Sequence, residues 1–124
     1  MRFLKLSFYI SNLILFIFYL YPGSIIGCFV YNDCNLQPQL TRDFMIFSSN
    51  HVYIFVICSF LGILSFKNYI KKILLYLFSL SVFLEMMHFV IPNRAFEVAD
   101  LLGNILGVIL SLVLYKLFKF RRSK

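Results

Sequence analysis

Four long apolar stretches divide the chain, and each is bounded by charged or helix-breaking residues. They cover residues 6–21, 52–66, 73–90 and 98–118. An α-helix rises about 1.5 Å per residue, so a bilayer core of ~30 Å takes about 20 residues to cross. The fourth stretch meets this length comfortably, whereas the second is short. With their flanks, the predicted transmembrane helices cover about residues 4–21, 51–66, 71–90 and 97–118.

The composition agrees with a membrane protein. Hydrophobic residues make up 61% of the 124 residues and charged residues 14%, against about 45–50% and about 25% in soluble domains. Tyrosines such as Tyr19 and Tyr53 fall near predicted helix ends, where amphipathic rings favour the membrane interface. We therefore predict an all-α helix bundle, with residues 1–124 forming a single transmembrane domain.

The charges sort to opposite sides of a bundle with four spans. Ten of the 12 basic residues fall on one side: Arg2, Lys5, Lys67, Lys71, Lys72, Lys116, Lys119, Arg121, Arg122 and Lys124. Arg42, Arg94 and every acidic residue fall on the other side. By the positive-inside rule the lysine-rich side is cytoplasmic, which places both termini in the cytoplasm. The net charge of +7 thus indicates membrane flanks, and no nucleic acid partner is expected.

The first apolar stretch has an alternative interpretation as a signal peptide. Residues 25–28 resemble the lipobox that is cleaved before a lipidated cysteine. The apolar run is longer than a usual signal core of about 7–15 residues, and Pro22 interrupts the approach, so an uncleaved first helix is favoured. Cys28 and Cys34 share the outer loop, residues 22–50, where they could form a disulfide or remain two thiols.

Ionisable residues lie close to the predicted outer ends of the third and fourth spans. Glu85 and His88 are one helical turn apart in the third span. Glu97, Asp100 and Asn104 recur at helical spacing in the fourth. A charged side chain at the centre of a span costs about 2.5–3.5 kcal/mol, so each of these groups needs a partner or a wet cavity.

Two more residues join this set, since Arg94 lies in the turn between these spans and His51 opens the second span on the same side. We predict one shallow, outward-facing polar site. Its candidate acids and bases are Glu85, Asp100 and His51, and its candidate binding residues are Arg94, Asn104, His88 and Glu97. Alternatively, these groups only satisfy one another, with Arg94 pairing to Glu85 or Asp100, and hold the helices together.

Small residues at Gly103, Gly107 and Ser111 form a stripe that predicts close helix packing. The stripe adjoins Asp100 and Asn104, which we expect to face the third span near Glu85. His51, Glu85 and His88 are a weak metal signature beside a paired motif such as H-E-x-x-H. No metal site and no cofactor are therefore predicted.

Read together, these positions resemble the VanZ-like family of bacterial membrane proteins. The resemblance rests on His51, Glu85 and the block Pro92-x-Arg94-x-Phe96-Glu97-x-x-Asp100-Leu101-x-x-Asn104-x-x-Gly107. Residues 21–24 and 37–51 are also similar to members of that family. The resemblance implies a multi-pass protein of the bacterial cytoplasmic (inner) membrane that acts in the cell envelope. The founding member is associated with low-level resistance to the glycopeptide teicoplanin.

Two functions remain open from the sequence, and it does not decide whether the protein is an enzyme. The first is an enzyme or binder for an anionic lipid-linked envelope intermediate, such as a polyprenyl phosphate. Arg94 would hold the phosphate, and Glu85, Asp100 or His51 would act as acid or base. The second is an accessory subunit with a membrane protein partner, whose polar residues lock the bundle. Proton-coupled transport is least favoured, because no charged residue reaches the inner half of a span.

Overall fold

The computed structural model describes residues 2–122 and confirms the all-α prediction. Its helices are α1 (Arg2–Leu20), α2 (Ile25–Tyr31), α3 (Ser49–Ser65), α4 (Ile70–Met87) and α5 (Val98–Arg122). A 3-10 turn, Lys67–Tyr69, joins α3 to α4. Within residues 2–122 there is no β-strand, and the only bridge of that type pairs Phe44 with Phe47.

Contacts along the helix interfaces give the relative directions of the helices. α1 and α3 are antiparallel, as the contacts Ser11–Cys58 and Tyr19–His51 show. α1 and α4 run in the same direction, with the contacts Asn12–Tyr76 and Tyr19–His88. α4 and α5 are antiparallel, with the contacts Ser81–Asn104 and Glu85–Glu97. The ends of α1 and α4 therefore meet the beginnings of α3 and α5 at one end of the bundle.

The small-residue stripe brings α5 close to α3. A Cβ added to Gly103 would lie 2.7 Å from the Ser48 carbonyl oxygen, and one added to Gly107 would lie 2.6 Å from Cβ of Phe55. Ser111 continues the contact by donating a hydrogen bond to a carbonyl of α3. The close neighbour is thus the second predicted span. The expectation that Asp100 and Asn104 face the third span is only partly met, because their side chains also face α3.

Helix α2 is capped at both ends and is linked by a disulfide to the loop that follows it. The Ser24 side chain accepts a hydrogen bond from Gly27 N at 2.9 Å and caps the helix. Asn32 ends the helix in the left-handed conformation, with φ of 52°. A disulfide joins Cys28 to Cys34, which decides between the two alternatives that the sequence left open for this pair.

The outer surface of the helices is apolar, as expected of a bundle surrounded by lipid. Leu13 of α1, Leu75 of α4 and Leu117 of α5 are among its exposed side chains. By length and composition, α1 and α5 can each cross a membrane, whereas α3 and α4 qualify only together, as one span bent by 93°. Two or three spans are thus supported, and the four predicted crossings with their orientation become part of the proposal below.

Candidate functional site

A polar cluster occupies the end of the bundle where α1 and α4 finish and α3 and α5 begin. We define it by its six side chains, Tyr19, His51, Glu85, His88, Asp100 and Asn104. Each of the four long helices contributes at least one of them. Glu85 and Asn104 are completely buried, and His88 is only 2% exposed. The cluster therefore combines four ionisable groups near the apolar core with neutral hydrogen-bonding partners.

The Tyr19 hydroxyl is at the centre of the cluster. It donates to Asn104 Oδ1 at 2.6 Å and lies 2.9 Å from His51 Nδ1. Its ring also stacks on His88, with the ring centroids 5.7 Å apart. The sequence placed Tyr19 at the membrane interface, but the side chain is only 5% exposed. Its spacing from the buried residues Asn12 and Leu15 puts it on the inward face of α1, and this spacing was the signal that could have identified it.

His51 connects this centre to Asp100. Its Nδ1–H donates to Asn104 Oδ1 at 3.0 Å, since an amide oxygen can only accept. The Asn104 amide group is oriented by its own bond to the Ser81 carbonyl, at 3.4 Å. His51 Nε2 lies 3.3 Å from Asp100 Oδ2. With the proton on Nδ1, the lone pair of Nε2 faces a carboxylate, so this contact requires a further proton or a cation.

Glu85 and His88 form a second pair, deeper in the bundle. His88 Nε2–H donates to the Tyr19 carbonyl oxygen at 3.2 Å, which leaves Nδ1 facing Glu85 Oε1 at 3.1 Å. Because both of these atoms would otherwise be acceptors, one shared proton must lie between them. The backbone N–H of Glu97 also donates to Glu85 Oε1, at 3.1 Å. Glu85 Oε2, in contrast, is buried and has no partner within residues 2–122.

Arg94 donates hydrogen bonds to backbone carbonyls at the end of α1. Its Nη2 donates to the Phe18 carbonyl at 2.8 Å and its Nε to the Tyr21 carbonyl at 3.3 Å. These carbonyls lie at the C-terminal end of α1, where helical partners are missing and a cation is favourable. The interpretation that Arg94 pairs directly with Glu85 or Asp100 is therefore wrong.

Burial lowers the pKa of the Arg94 guanidinium from its ordinary value, and nearby Tyr19, Asp100 and Glu85 oppose that shift. An arginine nevertheless stays charged in proteins, so Arg94 supplies a positive charge beside the cluster. Glu97, the remaining predicted binding residue, is exposed and contributes its backbone N–H to Glu85. The structure thus brings five of the seven predicted side chains into the cluster, places Arg94 beside it and leaves the Glu97 side chain at the rim.

Two cavities adjoin the polar cluster. The first, of about 250 Å³, lies between α1, α2 and α3 and is lined mainly by apolar side chains such as Phe18, Ile54 and Ile57. The second, of about 370 Å³, is lined mainly by polar side chains that include Asp100 and Glu97. Five residues line both cavities: Gln37, Asn50, His51, His88 and Arg94. The apolar and polar spaces therefore meet at the cluster.

The sequence matches the VanZ/LLP1 family over residues 6–119. The chain belongs to this family. The match confirms the resemblance drawn from the residues between His51 and Gly107, and together with the apolar helices it identifies a VanZ/LLP1 membrane protein. No curated protein and no solved structure matches the chain. The role of each residue in this VanZ/LLP1 protein must therefore be argued from its own geometry.

The same cluster contains groups that could hold a metal ion. His51, Glu85 and Asp100 each offer one ligand atom, and these atoms lie within 4.8 Å of one another. The set differs from the trio weighed in the sequence, because Asp100 takes the place of His88. No feature of the sequence indicates that Asp100, on α5, reaches His51, on α3, since this depends on how the two helices are rotated against each other.

Proposed function

We propose that this VanZ/LLP1 protein is a four-span protein of the bacterial cytoplasmic membrane, and that its outward-facing site binds an anionic, lipid-linked molecule of the cell envelope. The observation that carries the proposal is the meeting of an apolar and a polar cavity at the same residues. An amphiphile has matching parts, because its chain favours the apolar space and its head group the polar one.

The helix directions support four crossings. α1 and α4 run one way and α3 and α5 run the other, which is the alternation that four consecutive spans require, with α3 and α4 meeting at 93°. The basic residues at the start of α1, between α3 and α4 and at the end of α5 lie at the bundle end opposite the polar cluster. By the positive-inside rule, that end is cytoplasmic and the cluster faces outward.

Arg94 is the group that favours an anionic head group such as a phosphate. It lines both cavities, so it lies where the chain and the head group of an amphiphile would join. Two of its nitrogens bond to α1, and Nη1 makes no hydrogen bond within residues 2–122. A guanidinium held in place in this way can offer its remaining donors to a phosphate oxygen.

The His51–Asp100 pair could support proton transfer to or from the bound molecule. His51 lines both cavities and is oriented by Asn104 on one side and Asp100 on the other. An imidazole held by a carboxylate is a common arrangement for general acid or base chemistry. Because Asn104 and Asp100 engage both ring nitrogens of His51, an enzyme within the proposal would exchange the proton through the Asp100 carboxyl, which lines the polar cavity, with His51 behind it.

The second candidate function is an accessory subunit whose cluster only locks the bundle. It is favoured by the connections among Tyr19, His51 and Asn104, which join α1, α3 and α5 through three short contacts. Interhelical bonds of this kind are worth about 0.6 kcal/mol on average in membranes. Such a role requires neither of the two cavities.

Binding of a labelled polyprenyl phosphate to the protein in nanodiscs separates the two functions. The variant is Arg94→Lys, and the matched control is Arg42→Lys in the exposed loop before α3. Losing one charge-assisted hydrogen bond, worth about 1.5–3 kcal/mol, should weaken binding by roughly tenfold or more in Arg94→Lys. The control should bind as the wild type does. Equal binding by the wild type and Arg94→Ala would refute the lipid proposal and favour the accessory role.

A further inference from the structure

We propose that His51, Glu85 and Asp100 form a binding site for a divalent transition-metal ion, with Zn²⁺ as the best match. One nitrogen and two carboxylate oxygens lie within 4.8 Å of one another. Ligands that share a zinc ion lie about 2.0–2.2 Å from it, so small side-chain movements would complete the coordination. His51 and Asp100 also line the polar cavity, which gives the ion a route of entry.

The unpartnered oxygen of Glu85 points to the same conclusion independently. The Glu85 side chain is 0% exposed, and its Oε2 has no hydrogen-bond partner within the described part of the chain. A buried carboxylate oxygen without a partner is costly. Its other oxygen is fixed by two donors, so Oε2 is the atom left to bind a cation.

The surroundings of the three side chains orient them as ligands. His51 Nδ1–H is bonded to Asn104, which turns the lone pair of Nε2 toward Asp100, 3.3 Å away. A histidine that binds a metal through one nitrogen commonly donates its other N–H to an oxygen in this manner. Glu85 is supported likewise by His88 and by the Glu97 backbone.

The charges of the three groups suit a divalent cation. Two carboxylates and the neutral imidazole of His51 carry a charge of −2, and the proton shared by Glu85 and His88 reduces it to −1, so a cation entering the site meets a net negative charge. Within residues 2–122, neither Glu85 nor Asp100 forms an ion pair with a lysine or an arginine. The competing arrangement is two separate histidine–carboxylate pairs, each with its own proton and no metal. The two arrangements predict different metal contents for the same protein.

Zinc is preferred because of the kind and number of ligands. One histidine and two carboxylates fit Zn²⁺ through nitrogen and oxygen ligands, and three protein ligands leave a fourth position open. The polar cavity adjoins that position, so water or an oxygen of a bound head group could occupy it. The metal proposal does not depend on lipid binding, because the site is made entirely of protein ligands.

The test is metal binding by the purified, untagged full-length protein in detergent, without added lipid. The protein is loaded with Zn²⁺, desalted and analysed by elemental mass spectrometry, and its affinity is measured by competition with a chromophoric chelator. We expect about one Zn²⁺ per chain in the wild type. Glu85→Gln and Asp100→Asn should each weaken Zn²⁺ binding by at least tenfold. Glu97→Gln, which changes an exposed acid beside the same cavity, should bind as the wild type does.

A second readout uses only the wild type and covers the case in which a variant fails to fold. Zn²⁺ should raise the unfolding temperature by several degrees, because a ligand that binds the folded state stabilises it. The chelator EDTA should reverse the shift. The proposal is overturned by a wild type that retains no Zn²⁺ and shows no shift, or by folded Glu85→Gln that binds Zn²⁺ as tightly as Glu97→Gln does. Neither result would bear on lipid binding in nanodiscs.

Discussion

The two ends of the bundle use buried polar groups in different ways. At the end with the α3–α4 turn, Tyr76 donates to Asn12 Oδ1 at 2.7 Å and Asn12 Nδ2 donates to the Phe8 carbonyl at 2.9 Å. Both side chains are neutral, and their hydrogen bonds are made within the protein. At the opposite end, the polar cluster holds two carboxylates and two histidines. Each end has a buried polar atom without a partner among the described residues, but at the first end it is the neutral hydroxyl of Ser65 and at the cluster it is the carboxylate oxygen Oε2 of Glu85.

This difference indicates what each end is for. Neutral, satisfied bonds such as Asn12–Tyr76 are sufficient to hold membrane helices together. Ionisable groups cost more in an apolar setting, and intramembrane ionisable residues commonly mark functional sites. A cavity of about 520 Å³ also lies beside Asn12 and Tyr76, so the excess of ionisable groups at the cluster is the physical reason to place function at that end.

The largest effect is expected from adding a methyl group where α5 meets α3. In Gly107→Ala the new Cβ would lie 2.6 Å from Phe55 Cβ and 2.8 Å from a backbone carbonyl oxygen. Backbone cannot move aside easily, so we expect a loss of about 3 kcal/mol, at the upper end of overpacking costs. At the other end, the nearest neighbour of a Cβ added to Gly62 is the Phe8 ring, at 2.8 Å, and a side-chain ring can shift more easily than backbone. Thermal unfolding in detergent should therefore show a smaller loss for Gly62→Ala than for Gly107→Ala, and equal losses would mean that the two helix interfaces tolerate an added methyl group equally.

The next largest effect is expected from removing a shared acceptor. Asn104→Leu would remove the oxygen that accepts from Tyr19 and His51. These two groups can still bond to each other, so one buried donor is left without a partner, at about 1–3 kcal/mol. Asn12→Leu is the matched change at the other end and removes the acceptor of the Tyr76 hydroxyl, but Tyr76 is 41% exposed. The free energy of unfolding should fall further for Asn104→Leu. A larger loss for Asn12→Leu would reverse the comparison between the two ends.

A smaller change in stability is expected at Arg94. Arg94→Ala removes the cation from the end of α1, which we expect to cost about 1–2 kcal/mol for a partly buried charge at a helix terminus. Arg94→Lys keeps the charge and should recover most of that stability, even though lipid binding falls. Chemical unfolding of both variants measures the difference. If Arg94→Lys is as unstable as Arg94→Ala, the fixed geometry of the guanidinium, rather than its charge, supports α1.

The smallest effect on stability is expected from single cysteines in the connecting segments, introduced into a background without native cysteines. Arg42→Cys and Ala95→Cys change exposed positions beside the cluster, and Lys71→Cys changes an exposed position at the other end. With four spans, a membrane-impermeant maleimide should label positions 42 and 95 from outside and position 71 only after the membrane is opened. Labelling of positions 42 and 95 from opposite sides would show that α3 and α4 form one broken span.

Much of the fold could be predicted from hydropathy, because each long helix coincides with one apolar stretch. The rotation of each helix about its own axis, which decides the face that it buries, could not be predicted from hydropathy. Tyr19 looked like an interfacial ring, since its burial depends on which face of α1 meets α3. The carbonyl partners of Arg94 could not be predicted from the sequence either, because the end of α1 approaches the α4–α5 turn only through tertiary packing.

The candidate site was predictable in its members but not in its connections. Desolvation cost alone selected Glu85 and Asp100 as residues that need partners. The partner of Asp100 proved to be His51, which lies far away along the chain and 3.3 Å away in space. Sequence spacing carries no information on such a contact between α3 and α5.

The most direct measurement for the central claim is the position at which a photoreactive polyprenyl phosphate attaches to the protein. With the reactive group on the chain near the phosphate, the account predicts cross-links to the apolar cavity, at Tyr53, Ile54 and Ile57 of α3, mapped by mass spectrometry. Excess unlabelled polyprenyl phosphate should abolish these cross-links. Cross-links spread over lipid-facing positions such as Leu13 and Leu75, and unaffected by the competitor, would contradict the account.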